Sequence, residues 1–128
     1  MRKNNREIVA KSSLRFFEKG MRGHNAVWNI TGLGDNQFLI NRTMDRPDLT
    51  VLVADIYIAG EADIFEINPR SHGVDCIVLI GFYNRYSYAA KELAKEMNVG
   101  LFDTREFFGA INYTGKAFIN YERKKNVD

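Results

Sequence analysis

The carboxylates Asp48, Asp55, Glu61, Asp63 and Glu66 crowd a short stretch that is otherwise rich in Val, Ile, Leu, Tyr and Phe. An ionised carboxylate on a buried β face opposes folding unless something pairs with it. A divalent cation is one such partner, because its preferred ligands are oxygens. The spacing from Asp48 to Asn68 reads as two strands folded back at Ala59-Gly60, and in such a hairpin opposed residues keep a constant index sum. Ile58 then faces Glu61, Asp55 faces Ile64, and Val53 faces Glu66. Asp55 and Glu66 become diagonal neighbours on one face, within roughly 7–8 Å at the backbone, with Asn68 following on the same side. A register one residue off sets Asp55 beside Asp63 instead. Ordinary alternation, with acids toward water and aliphatics toward the core, accounts for the same residues without a metal.

A second constellation is Phe82-Tyr83-Asn84-Arg85-Tyr86. It falls where a parallel strand should end and a helix begin, the place where open α/β sheets bind ligands. Tyr83 and Tyr86 offer rings that stack on bases, and Arg85 offers a planar guanidinium group that can grip a phosphate through two oxygens. The same aromatics can equally cover the end of the sheet. His24 and His72 lack metal-ligand spacing with each other or with Cys76 and read as structural or surface residues. Gly32-Leu33-Gly34-Asp35 has no following P-loop lysine and reads as a turn.

The elements that must carry these residues follow from periodicity. Val9, Ala10, Leu14, Phe16 and Phe17 predict a helix over Arg6–Lys19, closed by Gly20. Val27–Ile30 and Gln37–Asn41 predict short strands around the glycine turn, ahead of the Asp48–Asn68 hairpin. The two prolines, Pro47 and Pro69, suit strand edges. Val74–Ile80 is the continuous aliphatic run of a strand buried on both faces. Ser87 caps a helix over Tyr88–Met97 with Ala89, Ala90, Leu93, Ala94 and Met97 inward, Val99–Phe102 is the next strand, and Asp103 with Glu106 opens a short helix through Ile111. Lys116–Tyr121 reads as a last strand or an ordered tail. The expected class is α/β or α+β, a three-layer mixed sheet of about four to six strands flanked by helices.

A chain of 128 residues with 45% hydrophobic content predicts one domain, 1–128, with a basic tail at 122–128. A net charge of +2 supplies no global field for nucleic acid, although Arg2, Lys3 and Arg6 at one end and Arg123, Lys124 and Lys125 at the other are local basic patches. The single cysteine, Cys76, lies in the apolar run and excludes a disulfide framework. With no signal-peptide pattern and no apolar run of membrane-spanning length, the expectation is a cytoplasmic protein without membrane association.

Arg6-Glu7 opening the first helix, Pro47-Asp48, Glu66-Ile67-Asn68, and the block from Ile80-Gly81-Phe82 through Ala89-Ala90-Lys91-Glu92-Leu93-Ala94 to Leu101-Phe102-Asp103 together resemble the restriction endonuclease-like superfamily, in particular Mrr-type enzymes and archaeal Holliday junction resolvases. The resemblance is one of layout over roughly residues 6 to 108. It implies a metal-dependent nuclease-like domain that acts on or binds nucleic acid, with Mg²⁺ held by Asp48 or Asp55 together with Glu66. Asp55, Glu66 and Asn68 would stand in the catalytic motif, and Arg70, Tyr83, Arg85 and Tyr86 along the nucleic acid. Two features depart from the family. Asn68 occupies the position of its lysine, which helps to activate the attacking water, and no helix is expected between Asn68 and Val74. A second threading takes Gly60-Glu61-Ala62-Asp63 as the acid-bearing strand and Cys76–Ile80 as its partner; it implies a domain without catalysis. The alternative class is a non-enzymatic α/β interaction module, a subunit, inhibitor or immunity-type protein, whose contact surface is Phe82–Tyr86 and whose partner is another protein or a second copy.

Overall fold

The computed structural model describes residues 8–123, so Arg2, Lys3, Arg6, Glu7 and residues 124–128 of the basic tail lie outside it. Five strands form one sheet in the order β1 (Val27–Gly34), β2 (Gln37–Arg42), β3 (Leu49–Ala54), β5 (Cys76–Leu79) and β7 (Gly100–Asp103). The first three pair antiparallel, and β3, β5 and β7 pair parallel. A separate two-residue pair, β4 (Ile58–Ala59) with β6 (Arg85–Tyr86), is also parallel. The protein is therefore α/β, with a mixed sheet and helices on both faces.

Strand alternation divides the core in two. Val51, Val53, Cys76, Val78 and Phe102 join Phe17 and Met21 of α1 (Lys11–Arg22), Phe107 of α4 (Thr104–Ala110) and Phe118 of α5 (Gly115–Ile119). Ala54, Ile77, Leu79 and Leu101 turn the other way, toward Ile64 of α2 (Glu61–Ile67) and Ala90 and Ala94 of α3 (Tyr88–Glu96). Every residue of β5 is buried, as its unbroken aliphatic run requires when helices cover both sides. Ser87 caps α3, its hydroxyl accepting from the Ala90 N–H at 3.1 Å. Asp103 and Glu106 form the reciprocal box at the start of α4. Lys91 is buried where Ala89 was expected, and Ala89 is exposed.

The hairpin expected over Asp48–Asn68 does not form. Its first half is β3, and its second half is the helix α2. Gly60 is extended at the N-cap, and the Asp63 carboxylate accepts from its N–H at 2.8 Å, the return bond of a capping box. Glu61 and Asp63 also favour the positive end of the helix. Ile64 and Ile67 then pack inward at helical spacing. This helix is the crossover between the parallel strands β3 and β5, so the strand-helix-strand unit begins one element earlier than expected.

Other boundaries shift for local reasons. Helix α1 passes through Gly20 to Arg22, because Gly20 serves close packing: a Cβ there would meet the Phe108 ring at 3.1 Å. The β1–β2 turn is the pair Asp35-Asn36, both at positive φ, which matches a tight hairpin better than the Gly32–Asp35 turn expected. Pro69 opens a 3-10 turn (Pro69–His72) instead of edging a strand. Lys116–Tyr121, expected as a strand or tail, contributes to the helix α5.

At the amino ends of β3 and β5, buried Arg42 ties two loops together, its Nε donating to the Pro47 carbonyl at 2.7 Å and its Nη1 to those of Ile111 at 3.1 Å and Tyr113 at 2.7 Å. His24 adds a tie at the base of α1. Its Nδ1 accepts from the Ala26 N–H, so its Nε2 is the nitrogen that donates to the Phe108 carbonyl at 2.8 Å. Among the described residues no helix is long and apolar enough to cross a membrane.

Candidate functional site

Because β3, β5 and β7 are parallel, the segments leaving their carboxyl ends emerge along one edge: Asp55-Ile56-Tyr57, Gly81–Tyr86 and Asp103. The Asn84 amide joins the first two. Its Oδ1 accepts from the N–H groups of Ile56 at 3.0 Å and Gly81 at 2.9 Å, which fixes the amide orientation, and its Nδ2 donates to Asp55 Oδ1 at 3.1 Å. Glycine is required at position 81, since any Cβ would collide with the Asn84 amide. The β4–β6 pairing continues the closure, with the Arg85 N–H donating to the Tyr57 carbonyl and the Ser87 N–H to that of Ala59, each at 2.9 Å.

This framework holds large side chains outward. Phe82 is 87% and Tyr83 76% exposed, and they meet edge to face at 5.2 Å between ring centroids. Tyr57 and Tyr88 are also exposed. The Arg85 guanidinium lies over the Tyr57 ring, 5.6 Å from its centroid, a cation–π arrangement. Rings and a planar cation on a hydrogen-bonded loop form a ready stacking platform. Tyr86 differs from its neighbours: half-buried, it donates its hydroxyl to Glu106 at 2.8 Å.

Sequence reasoning missed the polar cluster beneath. Buried Glu106 accepts from Tyr86 and from the N–H groups of Asp103 at 3.1 Å and Arg123 at 3.4 Å. Burial and the Glu106 carboxylate together push the Tyr86 hydroxyl pKa upward. Lys91 is 2% exposed, its Nζ donating to the carbonyls of Leu101 at 2.5 Å and Tyr121 at 3.1 Å, with the Phe102 ring centroid 4.3 Å away. Burial lowers its pKa to about 8 against the pull of Glu106. Since β7 is an edge strand, a lysine seated on its Leu101 carbonyl and on that of Tyr121 blocks further pairing there. The signal was faint: a lone Lys beside an inward Ala stripe reads as surface until the edge strand is known.

The residues expected to hold metal lie on different elements. Asp48 and Asp55 flank β3 at its two ends; seven extended steps of about 3.3 Å set them about 23 Å apart, far beyond one ion's reach. Glu66 sits on the exposed side of α2 rather than on a strand opposite Val53. Among the described residues, no group of three or more His, Cys, Asp or Glu side chains is placed to hold a metal ion. Asn68 is the left-handed C-cap of α2, at φ 51°, a conformation that asparagine tolerates well. Its side-chain type is thereby explained by backbone geometry. Arg70 is exposed on the 3-10 turn with one long bond to the Met97 carbonyl at 3.5 Å. Cys76 is fully buried, and burial raises its thiol pKa well above the ordinary range.

No protein-family model, curated protein or solved structure matches this chain. Its function must therefore be read from the arrangement itself.

Proposed function

We propose that this domain binds single-stranded nucleic acid, without cleaving it, on the platform formed by Tyr57, Phe82, Tyr83 and Arg85. The observation that carries the reading is the exposed aromatic–arginine cluster held by Asn84 at the carboxyl ends of β3 and β5. Unpaired bases present π faces to such rings, and each stacked base contributes about 1–3 kcal/mol by alanine substitution. A duplex hides those faces, so single strands are the matched ligand. The reading keeps the nucleic-acid half of what the superfamily resemblance implies and leaves out cleavage, because Asp48 and Asp55 lie beyond opposite ends of β3 and Asn68 serves as a helix cap.

One observation favours the alternative, a protein-interaction module. Asp55 and the acidic first turn of α2 lie next to the platform in the chain, and exposed tyrosine and arginine also make protein hot spots. Fluorescence anisotropy with a labelled oligothymidylate separates the two. The nucleic-acid reading expects saturable binding that Tyr83→Ala and Arg85→Ala each weaken roughly tenfold, in line with one lost stack. Absence of binding at low salt would leave the interaction module as the better account.

A further inference from the structure

The charges of this nearly neutral chain are sorted between its two helical layers. Helix α1 carries Lys11, Arg15, Lys19 and Arg22 against the single acid Glu18. Helix α2, in the opposite layer, carries Glu61, Asp63 and Glu66 and no base. On α1 the four cations occur at steps of four, four and three; at about 100° per residue they fall within an arc of about 80°. All four are exposed, while Phe17 and Met21 on the other side are buried against the sheet. The helix has 12 residues and so extends about 18 Å. Its lower end is fixed by His24 at the foot of α4, so Lys11 lies toward the end of the sheet that bears the stacking platform.

We infer that the outer face of α1 is a phosphate-backbone contact for nucleic acid, with Lys11, Arg15, Lys19 and Arg22 as the contacting side chains. This deepens the single-strand reading and rests on it. The helix adds four cations to the platform's single Arg85, while the acidic helix α2 repels a polyanion from the other side. Glu18 takes part of Arg22, which it holds at 2.9 Å, so the outer three cations are the main contributors. An anionic bilayer is a poorer fit. An interfacial helix needs a broad apolar face for the lipid, and in α1 that face is spent on the core, leaving Phe16 as its only exposed large apolar residue.

The test is the salt dependence of oligothymidylate affinity for the parent, for the fourfold variant Lys11→Gln, Arg15→Gln, Lys19→Gln, Arg22→Gln, and for Tyr83→Ala. Each lost phosphate contact should flatten the slope of log K against log salt by about 0.7 on a single strand, so the fourfold variant should lose about 2 to 3 of slope. Tyr83→Ala should weaken binding and leave the slope unchanged. Far-UV circular dichroism checks that the helix persists; if it does not, the double variant Arg15→Gln, Lys19→Gln should lose about half as much slope. An unchanged slope with Tyr83→Ala still weakening binding overturns the α1 inference alone. No binding by the parent overturns the platform reading and the inference together. Binding to phosphatidylserine vesicles that the fourfold variant loses, with oligothymidylate binding unaltered, also overturns the inference.

Discussion

The Asn84 side chain donates to Asp55 at 3.1 Å while accepting two backbone N–H groups, so a single amide fastens the exit of β3 to the exit of β5. Asn84→Ala leaves the Ile56 and Gly81 N–H groups without their partner, at a cost of about 1–3 kcal/mol. Asn84→Asp keeps both acceptor bonds but sets a second carboxylate against Asp55. Thermal unfolding should show Asn84→Asp more stable at pH 4 than at pH 7 relative to the parent, since protonation relieves that repulsion. Equal effects at both pH values would show that the Asp55 contact does not matter.

Asn68→Lys should not create a nuclease. Position 68 needs a left-handed backbone, which lysine adopts at a cost of about 1 kcal/mol or more, whereas Asn68→Gly should match or exceed the parent in stability. Denaturant titration of the two variants reads the difference directly. Gain of Mg²⁺-dependent cleavage by Asn68→Lys would contradict the account.

Lys91 gives the fold a distinctive alkaline response. Its folded pKa of about 8 lies below the ordinary 10.5, so below pH 8 both states are protonated and the burial cost is fully present. Between pH 8 and about 10 the unfolded chain binds more protons, and stability rises with pH by at most about 3 kcal/mol. Above about pH 10 Tyr86 reverses the trend, because its raised pKa lets the unfolded chain ionise first. Unfolding curves across this range should show the rise in the parent and its loss in Lys91→Met. A parent curve that falls from pH 8 to 10 would mean that Lys91 is better solvated than its burial implies.

Calorimetric titration with Mg²⁺ should give no saturable heat beyond dilution. Glu66→Ala should change stability by less than about 0.5 kcal/mol, as expected for an exposed helical position. A one-to-one binding isotherm that vanishes in Glu66→Ala would restore the metal reading.

Elements whose signals are local were legible in the sequence. The unbroken run of β5, the Ser87 cap and the Asp103–Glu106 box each need only a few adjacent residues, and each is present. Helix α2 was misread because Ile64-Phe65-Glu66-Ile67 fits strand alternation as well as helix spacing, and the deciding bond from Gly60 to Asp63 is a single contact. The helix removes the hairpin register through which Asp55 and Glu66 were paired. The aromatic loop was found because strand ends expose their neighbours whatever the register. The burial of Lys91 and the contact of Glu106 with Tyr86 were hidden, since the partners Leu101, Tyr121 and Tyr86 come from other parts of the chain. Of the basic arc on α1, Lys11, Arg15 and Lys19 already fell at helical spacing within the expected helix, and Arg22 joined them when the helix proved to run past Gly20.

The most direct test is to follow the backbone amide resonances of the protein during titration with oligothymidylate. The account predicts the largest shifts at Tyr57, Phe82, Tyr83 and Arg85 and along the outer face of α1, with α2 unmoved. Absence of shifts, or shifts centred on α2 or on the outer strand β1, would contradict it.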